Sequence, residues 1–357
     1  MENHKIRVAI TQGDTNGIGY ELIFKTFAEP EMLELCTPII YGSPKIAAYH
    51  SHALQTECQF SIISNACEAL DGRVNLLTCF DEEVKVEFGQ KTTESKTAAL
   101  KAVDRALADS REGLFDVLVC GPMEKDMVEI DGIRCKNAIN FIETSVGGGH
   151  KVQQIYMNDA LRVVLANCGS VREVNISQDI IEEKVKMLHK TLRRDFRVSS
   201  PRIAVLALNP TESAEEKNIL CPAVEALAEA GIQAFGPYQA DTFFEGRQYE
   251  QFDAVVAMYH DQGILPLRML SDTGSVVALT NMPLVCTMPD TDARMDIAGK
   301  NEADETQMRN AIYAAIDICR HREEYDLPLE NPLPKLYHER PDNGEKLRFA
   351  IPKKKDE

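Results

Sequence analysis

The sequence predicts an α/β fold, and three observations lead there. Short apolar runs of strand length, such as residues 6–10, 115–120 and 254–258, alternate with amphipathic stretches of helical length. Those runs stop abruptly at turn residues, as the buried strands of a parallel sheet do. The first run feeds a glycine-rich turn, Gly13-Asp14-Thr15-Asn16-Gly17-Ile18-Gly19, and then a helix start.

Taken in order, residues 6–10 are a strand, and the glycine-rich turn opens a helix that reaches about Phe27. Backbone amides at such a turn can hold an anion, helped by the helix dipole. Three glycines also suffice for a tight turn, and the spacing is neither a dinucleotide fingerprint nor a P-loop. Residues 37–41 are a second strand, 45–53 a helix, and 61–63 and 74–78 further strands. Thr92-Thr93-Glu94-Ser95 starts a helix over 96–111. The strand at 115–120 breaks at Gly121-Pro122-Met123-Glu124-Lys125, leaving Lys125 just past a strand end. On spacing alone a solvated surface lysine is the simpler reading. Residues 154–158 and 161–166 read as a hairpin turning near Asp159 and Ala160. Residues 178–196 are a helix, 203–208 a strand closing in Asn209-Pro210-Thr211-Glu212, and 221–231 a helix with a glycine end. Residues 235–242 read as an extended loop, whose Asp241-Thr242 pair taken alone is a helix cap. Residues 276–280 and 284–287 are short strands, 296–300 a loop, and 304–321 a long amphipathic helix. Past Tyr325, repeated prolines and charges describe an extended tail over 326–357.

The run at 254–258 is the pivot, because it ends in Tyr259-His260-Asp261-Gln262-Gly263. Open α/β sheets bind ligands at the carboxyl ends of their strands. An imidazole, a carboxylate and a carboxamide would all emerge at that lip, with Arg268 within reach of an anionic group. A polar strand end whose histidine merely hydrogen-bonds in a turn is the even-weighted alternative.

Composition narrows the function classes. The 357 residues allow roughly two domains. A net charge of −17 opposes a phosphate-backbone binder, and the absence of Trp with only 6% aromatics opposes base stacking, so no nucleic-acid partner is expected. The ten cysteines include no C-x-x-C pair, which fits a reducing compartment better than a zinc ribbon or a redox motif. No apolar run approaches a membrane span and no leader opens the chain, so the expectation is a cytoplasmic protein without a membrane partner.

Three elements stand together in order: Gly13-Asp14-x-x-Gly17-Ile18-Gly19-x-Glu21, Gly121-Pro122-x-x-Lys125, and Ala257-Met258-Tyr259-His260-Asp261-Gln262-Gly263. With Leu208-Asn209-Pro210, Ala240-Asp241-Thr242 and Asp296-Ile297-Ala298-Gly299-Lys300, they resemble the NAD-dependent 4-hydroxythreonine-4-phosphate dehydrogenases of pyridoxal phosphate biosynthesis, over about residues 6–320. The resemblance implies a two-domain α/β/α subunit like that of the isocitrate and isopropylmalate dehydrogenases, in a homodimer. The active site would lie in the cleft between domains, completed by the partner subunit. Residues 1–125 plus 255–325 would form the dinucleotide-type domain, 126–254 a second α/β domain with the dimer contacts, and 326–357 the tail. The implied chemistry is oxidation of the secondary alcohol of 4-phosphohydroxy-threonine by NAD. A divalent metal of the Zn, Mg, Mn or Co class would polarise that alcohol from three histidines. Lys125, Asp241, His260 and Asp261 would be catalytic. Thr242, Gln262 and Arg268 would hold a small phosphorylated or anionic substrate. Asp296, Ala298, Gly299 and Lys300 would hold the cofactor.

The family pattern is incomplete here. Of the three metal histidines only His260 is kept; the other two positions fall on Gly169 and Thr211. The family's substrate-holding Gly-His-Thr-Glu element aligns with Asn137-Ala138-Ile139-Asn140, its lysine with Arg268, and its asparagine and arginine fall near Val277 and on Cys286. A His-Gly pair that admits the dinucleotide is Thr291-Asp292, which puts a carboxylate where a pyrophosphate would lie. A catalytic metal needs about three protein ligands, so the replacements count against both the metal and NAD. The leading expectation is a family protein whose activity is weak or lost. Two others stand beside it: an active dehydrogenase with remodelled ligands or another hydroxy-acid substrate, and a non-catalytic binding or interaction protein.

Overall fold

The computed structural model describes residues 5–56, 58–80, 84–124, 128–130, 133–135, 138–146, 151–166, 176–211, 213–214 and 216–331. In chain order the first part contains β1 (Arg7–Thr11), α1 (Gly19–Thr26), α2 (Glu31–Leu35), β2 (Thr37–Gly42), α3 (Pro44–Leu54), β3 (Phe60–Ile63), β4 (Val74–Thr78), α4 (Thr93–Arg111) and β5 (Val117–Val119). A small ribbon, β6 (Val128–Ile130) and β7 (Ile133–Cys135), leads into α5 (Ala138–Val146). Next come β8 (Gln153–Met157), β9 (Arg162–Leu165), α6 (Gln178–Arg194), β10 (Arg202–Leu206), α7 (Cys221–Glu229), β11 (Gln233–Tyr238), α8 (Ala240–Glu245) and β12 (Ala254–Ala257). The last elements are α9 (His260–Met269), β13 (Val276–Thr280), β14 (Val285–Pro289) and α10 (Thr306–Glu330).

The fold is α/β, with one 12-stranded sheet ordered β11-β10-β12-β9-β8-β13-β14-β5-β1-β2-β4-β3. Both ends are parallel, as the apolar runs separated by helices require. The centre is antiparallel: β8 and β9 form the expected hairpin, and β13 pairs in opposite sense with both β8 and β14. The expected return to the first half at residue 255 coincides with β12, which pairs with β9 and β10 instead; the chain rejoins the first half at β14, beside β5.

Period-two alternation along the strands divides the core. One face carries Ile10, Val119, Met157, Val164, Val205, Val256 and Val276, continuous beneath α1, α3, α6, α7 and α10. The opposite face is split. Leu118, Val277 and Cys286 pack with α4 and α5, whereas Val163, Leu165, Val255 and Ala257 pack with α8 and α9. A cleft opens at that split.

Three expectations are corrected. Residues 235–242 are not an extended loop but the end of β11 and the start of α8. Helix α10 continues through Pro328 to Glu330, past the expected start of the tail at 326. Its last turns are held by Arg194, which donates to both oxygens of Asp326, and by an Arg197–Glu324 ion pair. Finally, four amides of the glycine-rich turn, which could have held an anion, are bonded within the protein. Asp14 N donates to Pro122 O, Asn16 N to Asp14 Oδ1, Gly17 N to Asp14 O, and Ile18 N to Ala293 O. A Cβ would meet Pro122 O at 2.5 Å on Gly13, Ala293 O at 2.6 Å on Gly17 and Gln12 O at 2.0 Å on Gly19, so these glycines serve close backbone packing of the turn.

Candidate active site

The motif after β12 divides its labour within one helical turn. Gln262 folds back, its Oε1 accepting from Met258 N (3.1 Å) and Tyr259 N (3.2 Å), while its Nε2 donates to Ala207 O (2.9 Å). It satisfies helix-start donors and ties α9 to the end of β10. Gly263 faces the sheet, where a Cβ would meet Val163 Cγ1 at 2.6 Å and Ala257 Cβ at 2.9 Å. Its absence of side chain lets α9 lie on β9 and β12. His260 and Asp261 point outward, their side chains 56% and 91% exposed, with His260 Nδ1 and Asp261 Oδ1 3.1 Å apart.

His260 lines the cleft at the split, a space of about 570 Å³ shared with Tyr156, Arg268, Asp290, Asp292 and Arg294. Such a volume suits a small ligand. Arg268 reaches across from α9 and grips Asp290 with two bonds, Nε to Oδ2 at 3.1 Å and Nη2 to Oδ1 at 3.0 Å. Asp290 also accepts from Ser275 Oγ at 2.6 Å, and its side chain is only 7% exposed. Donation to Asp290 holds the Arg268 guanidinium above its ordinary pKa, against a smaller opposing effect of burial. The charge expected to grip an anion is therefore largely met within the protein.

The loop expected to hold the cofactor is similarly occupied. Arg294 donates through Nε and Nη2 to Asp296 (2.9 and 2.8 Å), and its backbone N donates to Asp292 Oδ1 (3.0 Å). The bond from Arg294 lowers the Asp296 pKa. Ala298 is buried, Gly299 adopts φ 77° against the Phe88 ring, and Lys300 is exposed. Arg268 and Arg294 thus face Asp290, Asp292 and Asp296, which leaves the described groups around this part of the cleft with no surplus of positive charge.

Of the expected site residues, His260 and Arg268 meet at the cleft, beside Asp292 and Val277. Asp241 and Thr242 do not line it. They sit in the first turn of α8, where Asp241 Oδ1 accepts from Thr242 N and Thr242 Oγ1 donates to Gln239 O; the N-cap itself is Gln239, so the pair is not the cap that its sequence suggested. Cys286 is buried and faces Cys120, sulfur to sulfur 3.9 Å. Ala138 is buried in α5, and Thr211 is exposed beyond β10. Lys125 and Gly169 lie outside the described residues. Asp290 and Arg294 were not singled out in the sequence. Asp290 directly follows β14, a position that could have marked it, but its partner Arg268 is 22 residues away.

The donor set does not fit a three-histidine metal site. Thr211 offers a hydroxyl and Gly169 no side chain, and among the described residues no three His, Cys, Asp or Glu side chains converge.

Comparison with known proteins places this arrangement. Residues 34–315 match the family of pyridoxal phosphate biosynthetic protein PdxA. A 4-hydroxythreonine-4-phosphate dehydrogenase of Bacteroides thetaiotaomicron is 44% identical over 98% of each chain. A D-threonate 4-phosphate dehydrogenase of Cupriavidus necator is 28% identical, covering 90% of this chain and 100% of its own. The crystal structure of 4-hydroxythreonine-4-phosphate dehydrogenase from Klebsiella pneumoniae superposes with TM-score 0.74 at 25% identity, over 89% of this chain and 99% of that one. The fold is shared with that 4-hydroxythreonine-4-phosphate dehydrogenase structure. This chain belongs to the PdxA family, the 4-hydroxythreonine-4-phosphate dehydrogenases and their relatives.

Proposed function

We propose that this chain is a divergent 4-hydroxythreonine-4-phosphate dehydrogenase-like protein of the cytoplasm. In it, NAD-dependent, metal-assisted oxidation of 4-phosphohydroxy-threonine is weak or lost. The observation that carries this reading is the donor set: His260 keeps its place, but Gly169 and Thr211 stand at its two partner positions. Deleting outer partners of a metal costs about 10- to 100-fold in affinity or activity, and replacing direct ligands costs more. The pairing of Arg268 with Asp290 adds to the case, since a phosphate would have to compete with a carboxylate already held by two bonds. A homodimer is part of the proposal: α9 exposes Leu265 (59%) and Met269 (78%) beside the cleft, an apolar surface suited to a second copy.

A second reading is an active dehydrogenase with a changed hydroxy-acid substrate. It is favoured by the name of the Cupriavidus relative and by the retained His260–Asp261 pair. One assay separates the two. The purified chain is mixed with NAD and either 4-phosphohydroxy-threonine or 4-phospho-D-threonate, with Zn, Mg, Mn or Co supplied, and NADH is followed by absorbance. Trace turnover, unchanged by His260→Ala, is the expected result. Metal-dependent turnover that His260→Ala abolishes overturns it in favour of the second reading.

A further inference from the structure

We propose that a second cavity, of about 340 Å³, binds a small zwitterion of the amino-acid class. It lies on the opposite face of the same strands: Tyr156 and Val277 line the cleft, whereas their neighbours Met157 and Val276 line this cavity, beneath α6 and α10. Nothing in the dehydrogenase reading uses it.

The central group is Arg162. Its guanidinium stacks over the Phe196 ring at 4.9 Å and donates one long bond to Asp253 O at 3.3 Å. Among the described residues no carboxylate lies within ion-pair distance of it, unlike Arg194, Arg268, Arg294 and Arg322, which all have one. Burial lowers its pKa, opposed by the charge of Asp253, so the cation is held at a cost that a bound carboxylate would relieve. An arginine fork presented to a cavity matches a carboxylate or a phosphate.

The surroundings choose between these. Asp195 is neutralised by two bonds from Arg322, both 2.8 Å. Asp159 and Asp317 line the same cavity, are exposed and have no basic partner among the described residues. Two uncompensated carboxylates oppose a dianionic phosphate and attract a cation. A ligand with one carboxylate for Arg162 and one ammonium for the aspartates meets both demands, and Asn310 adds an amide. His321 gives its Nδ1 proton to Asp195 O at 2.9 Å, leaving Nε2 as its other polar atom. The volume is near the lower end for small-ligand sites, about 300–1,000 Å³.

Isothermal titration of the full chain with each standard amino acid, and with acetate and inorganic phosphate, tests the proposal. At least one amino acid is expected to bind saturably, more tightly than acetate or phosphate. Arg162→Gln should weaken it about tenfold or more, the scale of a lost charged hydrogen bond. Asp317→Asn, an exposed change that leaves the thermal midpoint in place, should weaken it severalfold, and His260→Ala should leave it unchanged. Absence of amino-acid binding overturns the proposal. So does preference for phosphate, binding indifferent to Asp317→Asn, or binding lost with His260→Ala.

Discussion

His260, Asp261, Gln262 and Gly263 are consecutive, yet each meets a different environment. A helix start turns successive side chains by about 100°, so one dipeptide faces the cleft while the next faces the backbone and the sheet. Gly263 gives the sharpest prediction. Placing a methyl 2.6 Å from Val163 Cγ1 and 2.9 Å from Ala257 Cβ forces α9 away from the sheet. Gly263→Ala should therefore destabilise the protein by about 1–3 kcal/mol despite alanine's better helix propensity, as read from urea denaturation. A neutral or stabilising result would show that α9 does not rest on β9 and β12 as described. The chemical promise of His260 was legible in the motif; that Gln262 and Gly263 serve the helix was not, because their partners Ala207 and Val163 lie far away in sequence.

Among the elements, α10 shows how burial sets the worth of a charge pair. Arg322 and Asp195 have side chains 7% and 3% exposed, and Arg322 also donates to the carbonyls of Met282 and Pro283. The cluster pins α10 to the end of α6 and to the β13–β14 turn. Arg322→Met would leave the Asp195 carboxylate buried without its partner, so a loss of roughly 3–5 kcal/mol is expected. Asp326→Asn breaks a pair whose side chains are 30% and 40% exposed, and should cost about 1 kcal/mol or less. Chemical denaturation of the two variants side by side checks the ranking; equal costs would contradict it. The amphipathic pattern of α10 was readable from residue 304 onward, but its end was not. Pro328 and the charged composition suggested a stop, whereas Arg194 and Arg197 on the end of α6 and just beyond extend the helix by tertiary ion pairs.

At the scale of the whole molecule, the parallel packing buries titratable groups and ties stability to pH. His50 is buried between the Tyr20 and Phe88 rings, and its Nε2 must donate to Thr15 O, which leaves Nδ1 unpartnered. Burial lowers its pKa from 6.5 to about 4, opposed by the bond to Thr15. The unfolded chain then takes up a proton before the folded one, so this contribution is complete above pH 6.5 and lost as pH falls toward 4. For Glu216, burial pushes the pKa up but is outweighed by bonds from Ser213 and Asn209, which bring it from 4.5 down to about 2. Its contribution is lost over that lower window. Asp14 acts oppositely: burial raises its pKa, so its penalty is relieved in acid. Thermal midpoints should fall from pH 6.5 to 4, with roughly 2–3 kcal/mol traceable to His50. His50→Gln should flatten that slope whatever it does to absolute stability. An unchanged slope in the variant would refute the assignment.

The amino-acid sequence by itself determined the α/β class, most strands and helices, and the one retained imidazole, because periodicity and turn chemistry are local. It also fixed that Gly169 and Thr211 carry no imidazole, since a side chain's donor atoms are a property of the residue alone. Only the tertiary structure decided that four amides of the glycine-rich turn are already bonded, that Arg268 is held by Asp290, and that among the described residues no carboxylate comes within ion-pair distance of Arg162. Each of these depends on which groups from distant segments arrive within about 3 Å, and the balance of charge in a cleft follows from that convergence.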